Sequence, residues 1–223
     1  MLGADAAAFR LAYGVTDRGN WEGSTVLNRL HQQALLARDQ EAALRASADR
    51  LLAVRAKRVP PGRDDKVLAD WNGLMIAALA KAAAVFDEPA WLQRAERAFA
   101  FIAEHMQPRG RLAHSWRSGR SLDFAFLEDY AEMAAAALTL FEHTGRQAYR
   151  DHALAWVRVL DEDYLDAEHG GYFQAPASAS DLVVRPKNAQ DGPLPSGNGV
   201  LVTVFARLFY LTGDPVWREH AER

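Results

Sequence analysis

The chain has 223 residues, 26 Lys+Arg against 29 Asp+Glu for a net charge of −3, and 49% hydrophobic residues, enough apolar material for a packed core without metal or disulfide staples. The absence of cysteine excludes disulfides, zinc ribbons, thiolate nucleophiles and redox CxxC pairs within these residues, and a mildly acidic balance without a Lys/Arg-rich run argues against a nucleic-acid partner. The longest apolar stretches, 74–86 and 131–141, are interrupted by Lys81 or too short for a span of about 20 residues, and no basic region followed by an apolar run opens the chain, so the expectation is a cytoplasmic protein without a membrane partner.

In chain order, a polar loop over Val15–Thr25 precedes apolar residues that recur at three and four, the helical period, over Val26–Ala37 and Gln40–Lys57. Pro60-Pro61-Gly62 stops the second of these helices. Further helices are expected at Trp71–Phe86, Ala90–His105, Leu127–Thr144, Gln147–Leu165, Gly199–Leu211 and from Val216 onward. Two short segments read as β-hairpins in the connections, Arg111–Arg120 around Ser115-Trp116 and Gly170–Ala175 around Tyr172-Phe173. No Ser/Gly-rich linker interrupts the pattern, so a single all-α domain over 1–223 is expected.

An internal repeat runs through the second part of the chain. Trp91, Tyr149 and Trp217 are spaced by 58 and then 68 residues and follow similar turns, Asp87-Glu88-Pro89-Ala90, Gly145-Arg146-Gln147-Ala148 and Gly213-Asp214-Pro215-Val216. The same spacing superposes Asp65, Asp123 and Asp191, then Asp70, Glu128 and Ser196, then Asn72, Tyr130 and Asn198, each set at the start of the first helix of a pair. Repeated helical hairpins of this size build an open α-solenoid or a closed toroid, and either one gathers equivalent helix starts on one face. Helix N-termini there favour anions and electron-rich groups. An Asp or Ser before a helix is equally an N-cap worth about 1 kcal/mol. Capping leaves unexplained the second polar set, Asp70, Asn72, Glu128, Asp129, Tyr130 and Asn198, on segments that otherwise read as core.

Six motifs in order, Gly19-Asn20-Trp21-Glu22-Gly23, Asp64-Asp65-Lys66-Val67-Leu68, Trp71-Asn72-Gly73-Leu74, Leu127-Glu128-Asp129-Tyr130, Gly170-Gly171-Tyr172-Phe173, and Arg185-Pro186-Lys187 with Asp191-Gly192 and Pro195-Ser196-Gly197-Asn198, resemble the thioredoxin-domain-containing family that includes spermatogenesis-associated protein 20. The resemblance implies a helical region similar to the (α/α)6 toroids of six-hairpin glycosidases and sugar epimerases, here incomplete, with a thioredoxin-like domain elsewhere in the full-length protein. An incomplete toroid has an open edge, which implies exposed apolar helix faces or a homodimer through that edge. The family carries small hydroxyl residues where Ala69-Asp70 stand, so the resemblance assigns no role to Asp70.

Sugar chemistry in such a cavity uses two carboxyl groups, one protonated and one ionised. The expected catalytic residues are Glu128 or Asp129 paired with Asp191; Asp65, Asn72, Asp123, Ser196 and Asn198 are expected to bind substrate at the same mouth. Trp71, Trp116, Tyr130, Tyr172 and Phe173 can stack on a sugar face or belong to the core, and Arg185 and Lys187 can hold a carboxylate or phosphate or lie solvated in their loop. The expected ligand is therefore a sugar or sugar phosphate. The histidines His31, His105, His114, His143, His152, His169 and His220 form no HExxH and no compact metal spacing, so most of them read as surface or capping residues, with no metal or cofactor expected. The reading that competes with a glycoside hydrolase or epimerase is a non-catalytic ligand-binding or scaffold domain serving the thioredoxin-like domain.

Overall fold

A computed structural model of the chain describes residues 1–122, 124–179 and 182–222. Its contacts divide it into two compact units, Met1–Asp64 and Asp65–Arg223.

In the first unit, α1 (Ala6–Ala12) and α2 (Arg38–Arg55) enclose a small core of Phe9, Ala12 and Leu44. The helix expected over Val26–Ala37 is absent. Side chains there take the backbone groups that a helix would need: Asn20 Oδ1 accepts from Val26 N at 2.8 Å, and Asn28 Oδ1 accepts from Leu30 N at 3.1 Å. Gly19-Asn20-Trp21-Glu22-Gly23 is a tight turn, with Gly19 at φ 74° and so near Ser24 that a Cβ would sit 2.4 Å from the Ser24 carbonyl oxygen.

The second unit holds three helical hairpins: α3 (Ala69–Phe86) with α4 (Pro89–His105), α5 (Leu127–Thr144) with α6 (Gln147–Asp163), and α7 (Gly197–Thr212) with α8 (Val216–Glu222). Their bounds agree with the expected helices to within about two residues. The first helices lie in a row, with α5 packed between α3 and α7. That position explains the sequence of α5, whose Ala131, Ala134, Ala136 and Ala137 are fully buried and let its neighbours approach on both sides. The repeat is also visible in the backbone. Asp87, Gly145 and Gly213, which share one repeat position, each end their helix in the left-handed conformation, with the cap N–H bonded to the carbonyl of Ala83, Phe141 or Phe209. At the ends of the row, α3 exposes Trp71, Met75, Val85 and Phe86, and α7 exposes Val202, Tyr210 and Leu211.

The first expected hairpin forms. β2 (Ser115–Arg117) and β3 (Arg120–Ser121) pair antiparallel across Ser118-Gly119, both at positive φ, and β2 also pairs with β1 (Val67–Leu68), fixing the start of α3 to the α4–α5 connection. The second expected hairpin, Gly170–Ala175, does not: it is reduced to one bridge between Leu165 and Tyr172. Gly170 and Gly171, at φ 71° and 69°, turn the chain back, and the Asn198 amide serves Tyr172 as a strand partner would, accepting from its N–H at 2.8 Å and donating to its carbonyl at 3.0 Å. Among the described residues no helix is long and apolar enough to cross a membrane.

Candidate functional site

The starts of α3, α5 and α7 converge because two glycines remove the side chains that would hold them apart. A Cβ on Gly73 of α3 would lie 2.7 Å from the backbone carbon of Glu132 in α5, and one on Gly197 of α7 would lie 2.6 Å from Leu127 Cγ. Where they meet, a cavity of about 510 Å³ opens, lined among others by Asp70, Trp71, Phe126, Glu128, Gln174 and Ser196.

Asp129 ties this mouth together from below. It is fully buried, and its carboxylate accepts from Asp70 N at 3.1 Å and Phe126 N at 2.8 Å, capping the N-termini of α3 and α5 at once. His114 Nδ1 completes the shell at 3.0 Å from both Asp129 oxygens. This hydrogen bond, against the opposing effect of burial, raises the His114 imidazole above its ordinary value. His114, expected at the surface or as a cap, is instead the half-buried partner of the central carboxylate. The donor atoms of Asp70, His114 and Asp129 lie within 4.8 Å of one another, so the three side chains could hold a metal ion, but Asp129 already has each oxygen engaged by N–H groups and a cation would have to displace the His114 contact.

Above Asp129 the carboxyl groups crowd. Asp70 is 5% exposed, accepts from Trp71 N at 2.7 Å, and is raised above the usual carboxylate range, first by burial and then by Asp129. Glu132, one turn beyond Glu128 on α5, is 4% exposed with its Oε1 unpartnered among the described residues; burial, with Asp70 and Glu128 adding to it, pushes it up to about 7. Glu128 is partly exposed and accepts a hydrogen bond from Gln174 Nε2 at 3.3 Å.

Of the residues singled out in the sequence, the cavity brings together Asp70, Trp71, Glu128 and Ser196. Ser196 is chiefly the N-cap of α7, accepting from Gly199 N at 3.1 Å. Asp129 lies beneath the cavity, and Asp191 is exposed with its Oδ1 accepting from Ser196 N at 2.9 Å, so neither is in the lining and the expected pairing of Asp191 with Glu128 or Asp129 is not assembled there. Asn72 is turned back onto Leu68 O at 2.8 Å, and Asn198 is occupied with Tyr172 and Asn188. Tyr130 belongs to the core: its hydroxyl accepts from Leu112 N at 3.1 Å, and burial pushes it up to about 12. Tyr172 is buried as well and donates to Asp161 at 2.7 Å. Asp65 pairs with Arg117 at 2.5 Å on the exposed side of β2. Arg185 donates to the carbonyls of Ala175 and Asp163 at 2.8 to 3.0 Å, and Lys187 is held by Asp166 at 2.7 Å and Gly170 O at 2.8 Å; both are structural cations here, not free anion ligands. Asp123 lies outside the described residues.

Sequence reasoning missed Glu132 and His114 and left Asp70 without a role. Glu132 carried a readable signal, an acid four residues after Glu128 on an alanine-rich helix. His114 carried none, since it is brought to Asp129 by long-range bonds of its segment, its own N–H to Phe124 O at 2.9 Å and Leu112 N to the Tyr130 hydroxyl at 3.1 Å.

No family model matches the chain. Curated proteins do. The chain is similar over most of its length to a segment of spermatogenesis-associated protein 20. It is 31% identical to the Homo sapiens protein and 30% identical to the Rattus norvegicus protein, in each case over 93% of this chain and 30% of the relative. The chain therefore spans about 30% of the length of the curated relatives it matches. Solved structures give the fold. The cellobiose 2-epimerase of Spirochaeta thermophila aligns with a TM-score of 0.57 at 19% identity, covering 70% of this chain and 41% of that one. The GH76 alpha-mannanase BT2949 of Bacteroides thetaiotaomicron aligns with a TM-score of 0.59 at 18% identity over 75% and 44%, and a D-mannose isomerase with 0.58 at 14% identity over 85% and 51%. The fold is thus that of helical hairpins of the (α/α)6, six-hairpin glycosidase-like class. Identities this low establish architecture and leave the chemistry to the site itself.

Proposed function

We propose that the second unit binds a sugar ring in the cavity at the inner-helix starts and acts on it, by hydrolysis or epimerisation, with Asp70 and Glu128 as the acid and base. The observation that carries this reading is the make-up of the cavity: two carboxyl groups, the rings of Trp71 and Phe126, and the amide and hydroxyl of Gln174 and Ser196 in about 510 Å³. That volume falls in the range of about 300–1,000 Å³ usual for small-molecule sites. A pyranose ring offers apolar C–H faces to aromatic side chains and hydroxyls to amides and carboxylates. Asp70, raised by burial and by neighbouring carboxylates, keeps its proton to higher pH and is the donor; Glu128, at the more open side, is the acceptor. Asp129 positions Asp70 through its backbone N–H without touching the substrate.

One observation favours a second reading, a domain that binds a sugar without turning it over, in service of the thioredoxin-like domain that the family resemblance implies. Asp129 and Asp191, two of the expected catalytic acids, are engaged by backbone N–H groups. Incubation with cellobiose, a mannan oligosaccharide, mannose and glucose, followed by product chromatography and by thermal stability, separates the two. Turnover lost at least 100-fold in Asp70→Asn and Glu128→Gln, with a ligand-induced stability shift retained, supports the catalytic reading. A shift without product supports the binding reading, and neither shift nor product with any sugar contradicts both.

A further inference from the structure

The charge of the cavity narrows the ligand class. Among the described residues that line it there is no Lys, Arg or His, and its only ionisable groups are the carboxyls of Asp70 and Glu128. The nearest candidates for an anion ligand on the neighbouring loop are committed elsewhere, Arg185 to two backbone carbonyls and to the face of Phe173 at 4.3 Å, and Lys187 to Asp166. A sugar phosphate or a uronic acid would place its anion against the Asp70 and Glu128 carboxyls, since the cation beside them, His114, is not in the lining and is bonded to Asp129. Below the lining, Glu132 adds a third carboxyl, 96% buried by its 4% exposure, with Oε1 unpartnered; the charges that act on it are those of Asp70 and Glu128. A buried acceptor without a donor is costly, and crowded carboxyls repel one another. One positive group between Asp70 and Glu128 would relieve the repulsion.

We propose, resting on the sugar-site reading, that the ligand is a sugar bearing a free amino group, bound with its ammonium between Asp70 and Glu128 and its ring against Trp71 and Phe126. The aromatic walls argue for an organic cation over a bare metal ion. An ammonium is attracted to an aromatic face, whereas a hard divalent ion seeks oxygen ligands. The three donors of an ammonium match the carboxyl oxygens of Asp70 on α3 and Glu128 on α5. An N-acetylated amine is neutral and brings no such relief.

The test is calorimetric titration of the full chain with glucosamine, glucose, N-acetylglucosamine, glucose 6-phosphate and calcium chloride at pH 6.5. The expected result is glucosamine at least 10-fold tighter than glucose, N-acetylglucosamine no tighter than glucose, and glucose 6-phosphate weakest. Asp70→Asn should reduce the glucosamine preference to about twofold or less; Glu128→Gln, at the open side of the cavity, should do the same should the first variant fold poorly. Glucose binding without a preference for glucosamine overturns this inference and leaves the sugar site standing. Binding of no sugar overturns the site reading as well. Calcium that binds and competes with glucosamine, with glucose inert, assigns the acids to a metal and also overturns the inference.

Discussion

Gly73→Ala is expected to destabilise the second unit by about 3 kcal/mol, read as a lowered urea midpoint with an unchanged slope. In an exposed helix the same change would stabilise by up to about 1 kcal/mol, because alanine is the better helix former. Here the sign reverses, since the new methyl group would lie 2.7 Å and 2.9 Å from the backbone carbon and carbonyl oxygen of Glu132. Backbone on a buried helix cannot swing aside as a side chain can, so α3 must withdraw from α5. That movement would stretch the Asp70 N–H to Asp129 contact and spread the carboxyl groups of the cavity, so ligand-induced stabilisation should fall together with stability.

Glu132→Gln is expected to make the protein more stable above pH 7 and to flatten its pH dependence between about 4.5 and 7. Glu132 is held up to about 7 in the native chain against 4.5 for the free side chain, so the unfolded chain loses this proton first. The stability that the neutral carboxyl contributes is complete below 4.5 and is lost as pH rises through 7. A difference of this size corresponds to roughly 3 kcal/mol at most. The groups facing Glu132 are Asp70 from α3 and Glu128 from its own helix. Asp70 and His114, both raised in the native state, contribute slopes of the same sign, so a smaller decline with pH should survive in the variant. Urea unfolding of both proteins at pH 5 and pH 8 measures this directly. An unchanged pH slope in Glu132→Gln would show that Glu132 is ionised throughout.

The helical hairpins were legible because their apolar period and their turns are local properties. Asp87, Gly145 and Gly213 mark helix ends in the sequence, and each proves to be a left-handed cap. The missing helix at Val26–Ala37 was not legible from period alone, since Asn20 and Asn28 compete for its backbone groups from just outside and just inside the pattern. At the site, the sequence indicated the helix starts and failed on which way side chains turn. Asp129 stands beside Glu128 and Asp191 in a Gly- and Pro-rich loop, yet the oxygens of both accept from backbone N–H groups. Asp70 lines the cavity, and His114 reaches Asp129 through connections between elements that no spacing in the sequence encodes.

The claim that the cavity holds a sugar ring is tested most directly at Trp71, which is 55% exposed on its wall. Titration of intrinsic tryptophan fluorescence with glucose, mannose and glucosamine, in the unaltered protein and in Trp71→Phe, reports on that side chain by difference. A saturable change in emission that disappears in Trp71→Phe, while thermal stability without ligand stays the same, is the predicted result. No saturable change with any of the three sugars, or a change that persists undiminished in Trp71→Phe, would contradict a sugar site at the starts of α3, α5 and α7.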